Sequence, residues 1–147
     1  MKIEVYFKKI YTVAFRLTGK ELDASELATK AILKATNELD LNNQVTSYIF
    51  KITVLEVVTI FLEEYDTYTV HVNDSNNKKS KDKFKALQEA LLSLKPLNRI
   101  VVIWKDALNF QLSDLISVTN YNKKELNAEL IFIASKSMYV VFDALLL

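Results

Sequence analysis

The residue types that usually carry catalysis are scarce in this chain. Its 147 residues include one histidine, His71, and no cysteine, so neither a pair of histidines nor a thiolate metal site can form within one chain. Glu63, Glu64 and Asp66 are close in sequence, but such a run of carboxylates is typical of a solvent-facing helix end. One glycine in the whole chain is too few for a glycine-rich phosphate loop. We therefore predict no enzymatic activity, no metal and no cofactor.

The overall charge and the apolar runs restrict the class of partner. The chain has 19 basic and 18 acidic residues, a balance that argues against a surface devoted to nucleic acid or anionic lipid. Residues 1–9 carry charges throughout and no apolar stretch follows them, so we expect no signal peptide. The most apolar long stretch, 126–147, is interrupted by Glu129, Lys136 and Asp143 and falls short of the roughly 18 apolar residues that span a bilayer. A soluble cytoplasmic protein without a membrane partner is predicted.

The composition of the chain indicates which type of secondary structure its residues form. Half of the residues are hydrophobic, with one glycine and one proline, whereas all-β folds draw on both residue types for their tight turns. We therefore predict an all-α fold. Gly19 is the predicted cap of a first helix, whose apolar positions recur every three or four residues: Ile3, Phe7, Ile10, Ala14 and Leu17. A second helix is predicted to begin near Asp23, with an inner face of Leu27, Ala31, Ile32 and Ala35.

The stretch from Thr46 to Tyr65 is apolar almost all round. Its β-branched residues keep a strand interpretation open, but twenty residues without a turn signal are too many for a typical strand, so a helix buried on all sides is predicted. The alternation of Tyr68, Val70 and Val72 with polar residues leaves a short extended segment as an alternative. Residues 73–83 then contain no apolar side chain and are predicted to form a flexible linker. The linker separates a first domain, 1–72, from a second domain, 84–147.

The second domain has the pattern of a helix-turn-helix. A first helix carries the stripe Phe84, Leu87, Leu91 and Leu94, and Pro96 is placed to begin the next helix, 97–108. A short helix, 112–118, leads to a tight turn at 119–121, where Asn120 suits a left-handed conformation. Asn122 is the predicted N-cap of the last helix, and Glu125 three residues later would complete a capping box. A short helix, a tight turn and a capped longer helix together predict this motif.

Three segments, taken in order, resemble the bacterial extracytoplasmic-function sigma factors of the sigma-70 family. Residues 18–27 (TGKELDASEL) are similar to the family's T-G-x-x-x-D-A-E-D-L element, and residues 47–52 (SYIFKI) to its A-W-L-Y-R-I element. Residues 90–101 (ALLSLKPLNRIV) are similar to A-L-x-x-L-P-x-x-x-R-x-V and precede the predicted helix-turn-helix at the family's spacing. The resemblance implies that the first domain is like sigma region 2 and the second like sigma region 4.

This resemblance implies a function in transcription initiation. The first domain would bind core RNA polymerase through the helix beginning at Asp23 and the downstream promoter element through the helix after Tyr48. The second domain would read the upstream promoter element with the helix after Asn122. By the resemblance, the polymerase contacts are Asp23, Glu26, Leu27 and Lys30. The DNA contacts are Lys51, Asn122, Lys123, Lys124 and Asn127.

Departures from the family pattern weaken the DNA contact. Positions 54, 55, 59 and 62 are commonly Arg, Asn, Asp and Arg in the family, on the side that faces DNA, and uncharged side chains replace all four here: Val54, Leu55, Thr59 and Leu62. Apolar side chains neither neutralise phosphate nor hydrogen-bond a base edge. From 112 to 133, two lysines stand against three acids, a local net charge of −1. The polymerase-facing helix is altered too, because Ser25 replaces an acid and Thr29 a usual glutamine.

An apolar face in place of a DNA-binding face needs a cover, because large exposed apolar patches are disfavoured. One hypothesis is that Leu55 and Leu62 contact the C-terminal part or a second protein, with Val141 and Phe142 in the complementary surface. The alternative, that both segments are simply core, is equally open.

Three functions are compatible with these sequence features. The first is a sigma-factor-like protein that binds core RNA polymerase and, weakly or with help, promoter DNA. The second is a degenerate sigma-like regulator that binds polymerase, or a second sigma-like or anti-sigma protein, without promoter recognition of its own. The third is a helical adaptor unrelated to transcription.

Overall fold

The computed structural model describes residues 1–37, 44–65 and 83–135, with the side chains of 83 and 130–135 excepted. All regular structure in these ranges is helical apart from one isolated bridge between Lys2 and Gln44, so the predicted all-α fold is confirmed. The chain divides into two compact units, unit 1 (Met1–Thr67) and unit 2 (Tyr68–Leu147). Most of the predicted linker and the extended alternative near Val70 lie outside the described residues. Lys83, the last predicted linker residue, instead begins a helix.

The described part of unit 1, residues 1–37 and 44–65, contains three helices: α1 (Ile3–Thr18), α2 (Glu21–Thr36) and α3 (Ser47–Glu64). Gly19 ends α1 with φ 71°, and its N–H donates to Phe15 O at 2.8 Å, which confirms the predicted cap. α2 begins two residues before the predicted Asp23. Each of the three helices packs against the other two, which gives unit 1 a single core.

The buried face of α1 differs from its predicted stripe. Phe7, a predicted core residue, is 43 % exposed, whereas Tyr6 and Val13 are fully buried. Because α1 contacts both α2 and α3, its buried face is broad and is rotated away from Phe7. On α2 the buried residues are mostly small, which lets the neighbouring helices approach closely: Ala24, Leu27, Ala28 and Ala31. The predicted inner residues Ile32 and Ala35 are half-buried.

α3 confirms the helical interpretation of its apolar sequence. The Thr46 hydroxyl caps it by accepting a hydrogen bond from Ile49 N at 3.2 Å. One face is buried, including Phe50, Val54 and Phe61. The prediction of burial on all sides is wrong, since Tyr48 is 71 % exposed.

A polar pair inside unit 1 gives a stability prediction. The Thr53 hydroxyl donates to Ile49 O at 2.7 Å and lies 2.6 Å from the Tyr6 hydroxyl. Since a threonine hydroxyl has one proton, Tyr6 is the donor in the second bond. Burial is the main cause that raises the pKa of Tyr6. The Thr53→Val variant would leave the buried Tyr6 O–H without an acceptor, so we expect a loss of about 1–3 kcal/mol.

The Tyr6→Phe variant is the matched comparison. It removes the same bond but leaves the Thr53 proton on Ile49 O, so a smaller loss of about 1 kcal/mol is expected. Urea denaturation followed by circular dichroism measures both variants. Equal losses, or a larger loss for Tyr6→Phe, would contradict this assignment of donor and acceptor.

The described part of unit 2 opens with α4 (Lys83–Leu92) and α5 (Pro96–Val102), and Pro96 begins α5 as predicted. Leu87, Leu91 and Leu94 are buried, but Phe84, predicted to share their stripe, is 69 % exposed. Phe84 lies in the first turn of α4, before the part of the helix that packs on the core. Only the later part of the predicted stripe is therefore buried.

Arg99 holds the end of α4 against α5. Its guanidinium is buried and donates from Nε to Leu94 O at 3.0 Å and from Nη2 to Leu92 O at 3.3 Å. Carbonyls at a helix C-terminus lack partners within the helix, and Arg99 supplies donors to this region. Burial lowers the pKa of Arg99.

A π-helical turn, Ile103–Ala107, follows α5 directly. Trp104 within it is buried, and its indole N–H donates to Gln111 O at 2.7 Å. The ring of Trp104 meets that of Phe110 edge-on at 4.8 Å. After this aromatic pair come a 3-10 turn, Leu112–Leu115, then α6 (Ile116–Thr119) and α7 (Lys123–Ser135).

Candidate functional site

The exposed edge of α2 brings together most of the residues predicted to contact polymerase. Lys30 Nζ donates to Glu26 Oε1 at 2.8 Å and to Glu64 Oε2 of α3 at 2.9 Å. Tyr65 lies close enough to Glu26 for the charge of Glu26 to raise the pKa of Tyr65, and Asp23 lies one turn before Glu26 on α2. We call Asp23, Glu26, Lys30, Glu64 and Tyr65 the α2 edge cluster.

Lys30 and Glu26 shift each other's pKa. The hydrogen bond and charge of Lys30 lower the pKa of Glu26, while Glu26 and Glu64 raise the pKa of Lys30. Burial, followed by the charge of Glu26, raises the pKa of Tyr65. A lowered carboxylate pKa gives stabilisation that is lost as pH falls through it, and a raised lysine pKa gives stabilisation that is lost as pH rises through it. Glu26 and Lys30 therefore both keep their charges across the neutral range.

Leu27 differs from the rest of the predicted polymerase set. Its side chain is fully buried in the core of unit 1, so it supports α2 from inside instead of forming part of the exposed edge. Glu64 and Tyr65 belong to the cluster but were absent from the predicted set. The pairing of Glu26 with Lys30 can be read from their spacing of four residues, whereas Glu64 lies 34 residues from Lys30. No sequence signal reveals that contact.

In the resembled family, the positions on α3 that correspond to 54, 55, 59 and 62 face DNA. Val54 is fully buried in unit 1 and cannot face a ligand. Leu55, Thr59 and Leu62 are half-buried, and Lys51, a predicted DNA contact, is also half-buried. This side of α3 therefore offers one lysine and no arginine.

The turn before α7 follows the predicted chemistry. Asn120 has φ 58° and is left-handed, and the Thr119 hydroxyl accepts from Tyr121 N at 3.3 Å. Asn122 Oδ1 accepts from Glu125 N at 2.8 Å, which confirms Asn122 as the N-cap of α7. Since the Asn122 amide oxygen caps the helix, that atom is already engaged.

The exposed residues at the start of α7 carry mixed charge. Lys123, Lys124 and Asn127 are exposed, and so is Glu125, while Leu126 is fully buried and anchors the helix to unit 2. Two neighbouring lysines next to an acid provide a weak field for phosphate. Val141 and Phe142, the predicted complementary surface, lie outside the described residues.

The described residues also bear on metal binding and on membrane insertion. Across 1–37, 44–65 and 83–135, no three acidic or histidine side chains come together in a way that could hold a metal ion. No helix within these same ranges is long and apolar enough to cross a bilayer.

Comparisons of this chain with protein-family models, with curated proteins and with solved structures found no match.

Proposed function

We propose that this protein is a sigma-factor-like transcription protein that binds core RNA polymerase through the α2 edge cluster of unit 1. The observation that carries the proposal is that Glu26 and Lys30 are exposed and Asp23 is half-buried along one edge of α2, at the positions that the resemblance assigns to polymerase contact. The bonds of Lys30 to Glu26 and Glu64 tie this edge to the end of α3. A partner would meet these side chains already ordered, which reduces the entropic cost of binding.

Promoter DNA is the weaker partner in this proposal. The residues that would touch it are Lys51 on α3 and the start of α7, where the turn at Asn120 and the cap at Asn122 support a helix-turn-helix. Each phosphate that a lysine neutralises steepens the salt dependence of binding. Because only three lysines lie at these DNA-contact positions, the chain would need polymerase to hold it on a promoter.

One observation favours a second candidate, a regulator that binds polymerase without recognising promoters. Val54 is in the core, and Leu55 and Leu62 are uncharged and half-buried. Lys51 is thus the one basic side chain on the side of α3 that would hold DNA, and positions 54, 55, 59 and 62 supply no charge to neutralise phosphate.

A two-step experiment tests both candidates. The tagged full chain is used as bait in lysate of its own host, and purified core polymerase is then tested for direct binding and promoter-directed transcription. Capture of the core subunits with start-site-specific transcripts supports the sigma-like function, and capture without such transcripts supports the regulator. Failure of purified core polymerase to bind refutes both and leaves the helical adaptor.

A further inference from the structure

An apolar groove runs between α1 and α2 on the outside of unit 1. It has a volume of about 300 Å³, with Phe7 and Tyr11 on the α1 side and Ser25, Thr29 and Leu33 on the α2 side. Leu33 is 65 % exposed, and Leu22, three residues before Ser25 and so on the same side of α2, is 86 % exposed. Large apolar side chains therefore border a groove whose α2 wall contains two small residues.

The chemistry of the groove suits an apolar occupant. None of the described residues that line it is charged, so covering it buries no charge and incurs no such desolvation cost. The Thr29 hydroxyl already donates to Ser25 O at 2.7 Å. An occupant is therefore not needed to satisfy that donor.

The exposed apolar area matches what a stable dimer needs. Phe7, Tyr11, Leu22 and Leu33 together expose roughly 460 Å², taking about 200 Å² for a fully exposed large residue. A standard interface buries about 800 Å² per partner, of which roughly 500 Å² is apolar. The patch thus supplies most of the apolar part of one side of such an interface.

The arrangement of large and small residues on α2 is self-complementary. Leu33 lies four residues after Thr29, and Ser25 lies four residues before it. If two α2 helices cross antiparallel about a two-fold axis at Thr29, each Leu33 meets the small Ser25 of the other copy. A two-fold interface requires this reciprocal pairing of a patch with itself.

We propose that the α1–α2 groove is the interface of a symmetric homodimer, with a second copy of this chain as its occupant. The proposal uses only unit 1 and does not rest on the proposed function. Sedimentation equilibrium of the full chain from low to high micromolar concentration should give a mass approaching twice 16.9 kDa. A monomer throughout this range would overturn the proposal.

A pair of charge variants locates the interface. Leu33→Glu places a charge in the groove on a good helix former and should weaken dimerisation about tenfold or more. Val5→Glu is the matched control, because Val5 is exposed on α1 but does not line the groove. Equal dimerisation of the two variants, with helicity unchanged, would place the interface elsewhere and overturn the proposal.

Cross-linking tests the axis itself, because the chain has no cysteine of its own. A Thr29→Cys variant should form a disulfide-linked dimer under mild oxidation, since residues at a two-fold axis come within the reach of an S–S bond. Thr12→Cys is the control, because both threonine hydroxyls bond the carbonyl four residues earlier. Cross-linking of Thr29→Cys no faster than that of Thr12→Cys would contradict an axis at Thr29.

Discussion

Replacing Phe61 with alanine should lower the free energy of unfolding of unit 1 by about 3–5 kcal/mol. Phe61 is fully buried in α3, and its ring stacks on Tyr65 at 6.2 Å between ring centres. Truncation removes the transfer free energy of the ring and leaves a cavity in the core of unit 1. A unit of this size has few kilocalories to lose, so a large fraction of the variant should be unfolded.

The same change should reach the α2 edge cluster. Tyr65 stacks on Phe61 and lies near Glu26, so the loss of the ring should loosen this part of the cluster. Thermal denaturation followed by circular dichroism measures the stability. Tyr48→Ala is the control on the same helix, because Tyr48 is exposed and its loss should cost no more than about 0.5 kcal/mol. Similar melting of the two variants would show that Phe61 does not anchor the core of unit 1.

Replacing Lys30 with glutamate should weaken binding to core RNA polymerase about tenfold or more, or about 1.4 kcal/mol. The lysine nitrogen lies within 2.9 Å of carboxylates on both sides. A glutamate at this position would bring a third negative charge between Glu26 and Glu64, and their mutual repulsion would spread the edge that the proposal assigns to polymerase. Lys30→Met removes the charge without adding another and should have a smaller effect.

The control for Lys30 is Lys85→Glu, an identical charge change at an exposed position of α4. Titration of labelled chain with purified core polymerase measures the affinity of each variant, and circular dichroism checks that the helices are intact. If Lys30→Glu and Lys85→Glu bind alike, the α2 edge is not the polymerase contact.

Features that depend on local backbone chemistry were predictable from the sequence. Gly19, Pro96, Asn120 and Asn122 all take the predicted roles. Each role follows from the conformations that one residue prefers and from hydrogen bonds to residues a few positions away. The helical state of α3 was also predictable, because its length excludes a typical strand.

Features that depend on which helices become neighbours were not predictable. Phe7 and Phe84 fit apolar stripes yet are exposed, because spacing defines a stripe but not the angle at which a partner helix covers it. The contact between Lys30 and Glu64 joins residues 34 positions apart, and the buried Tyr6–Thr53 pair joins residues 47 apart. Such contacts follow from the packing of three helices and have no local signal.

The candidate site combines both kinds of feature. Asp23, Glu26 and Lys30 came from the resemblance and lie on the outer edge of α2, where Asp23 is half-buried and the other two are exposed, whereas Leu27 in the same set is core. A motif conserves the order of residues but does not separate those that support a helix from those that face a partner. Burial separates the two groups in this chain.

We propose that the outer faces of these helices suit a protein partner better than DNA phosphate. The most direct measurement titrates the purified, labelled chain with core RNA polymerase and with promoter-length duplex at rising salt concentrations. We expect tight binding to polymerase, weak binding to duplex, and a slope of log affinity against log salt for duplex no steeper than about −3, the value when Lys51, Lys123 and Lys124 each neutralise one phosphate. Tight binding of the chain alone to duplex, with a slope several times steeper, would contradict the claim.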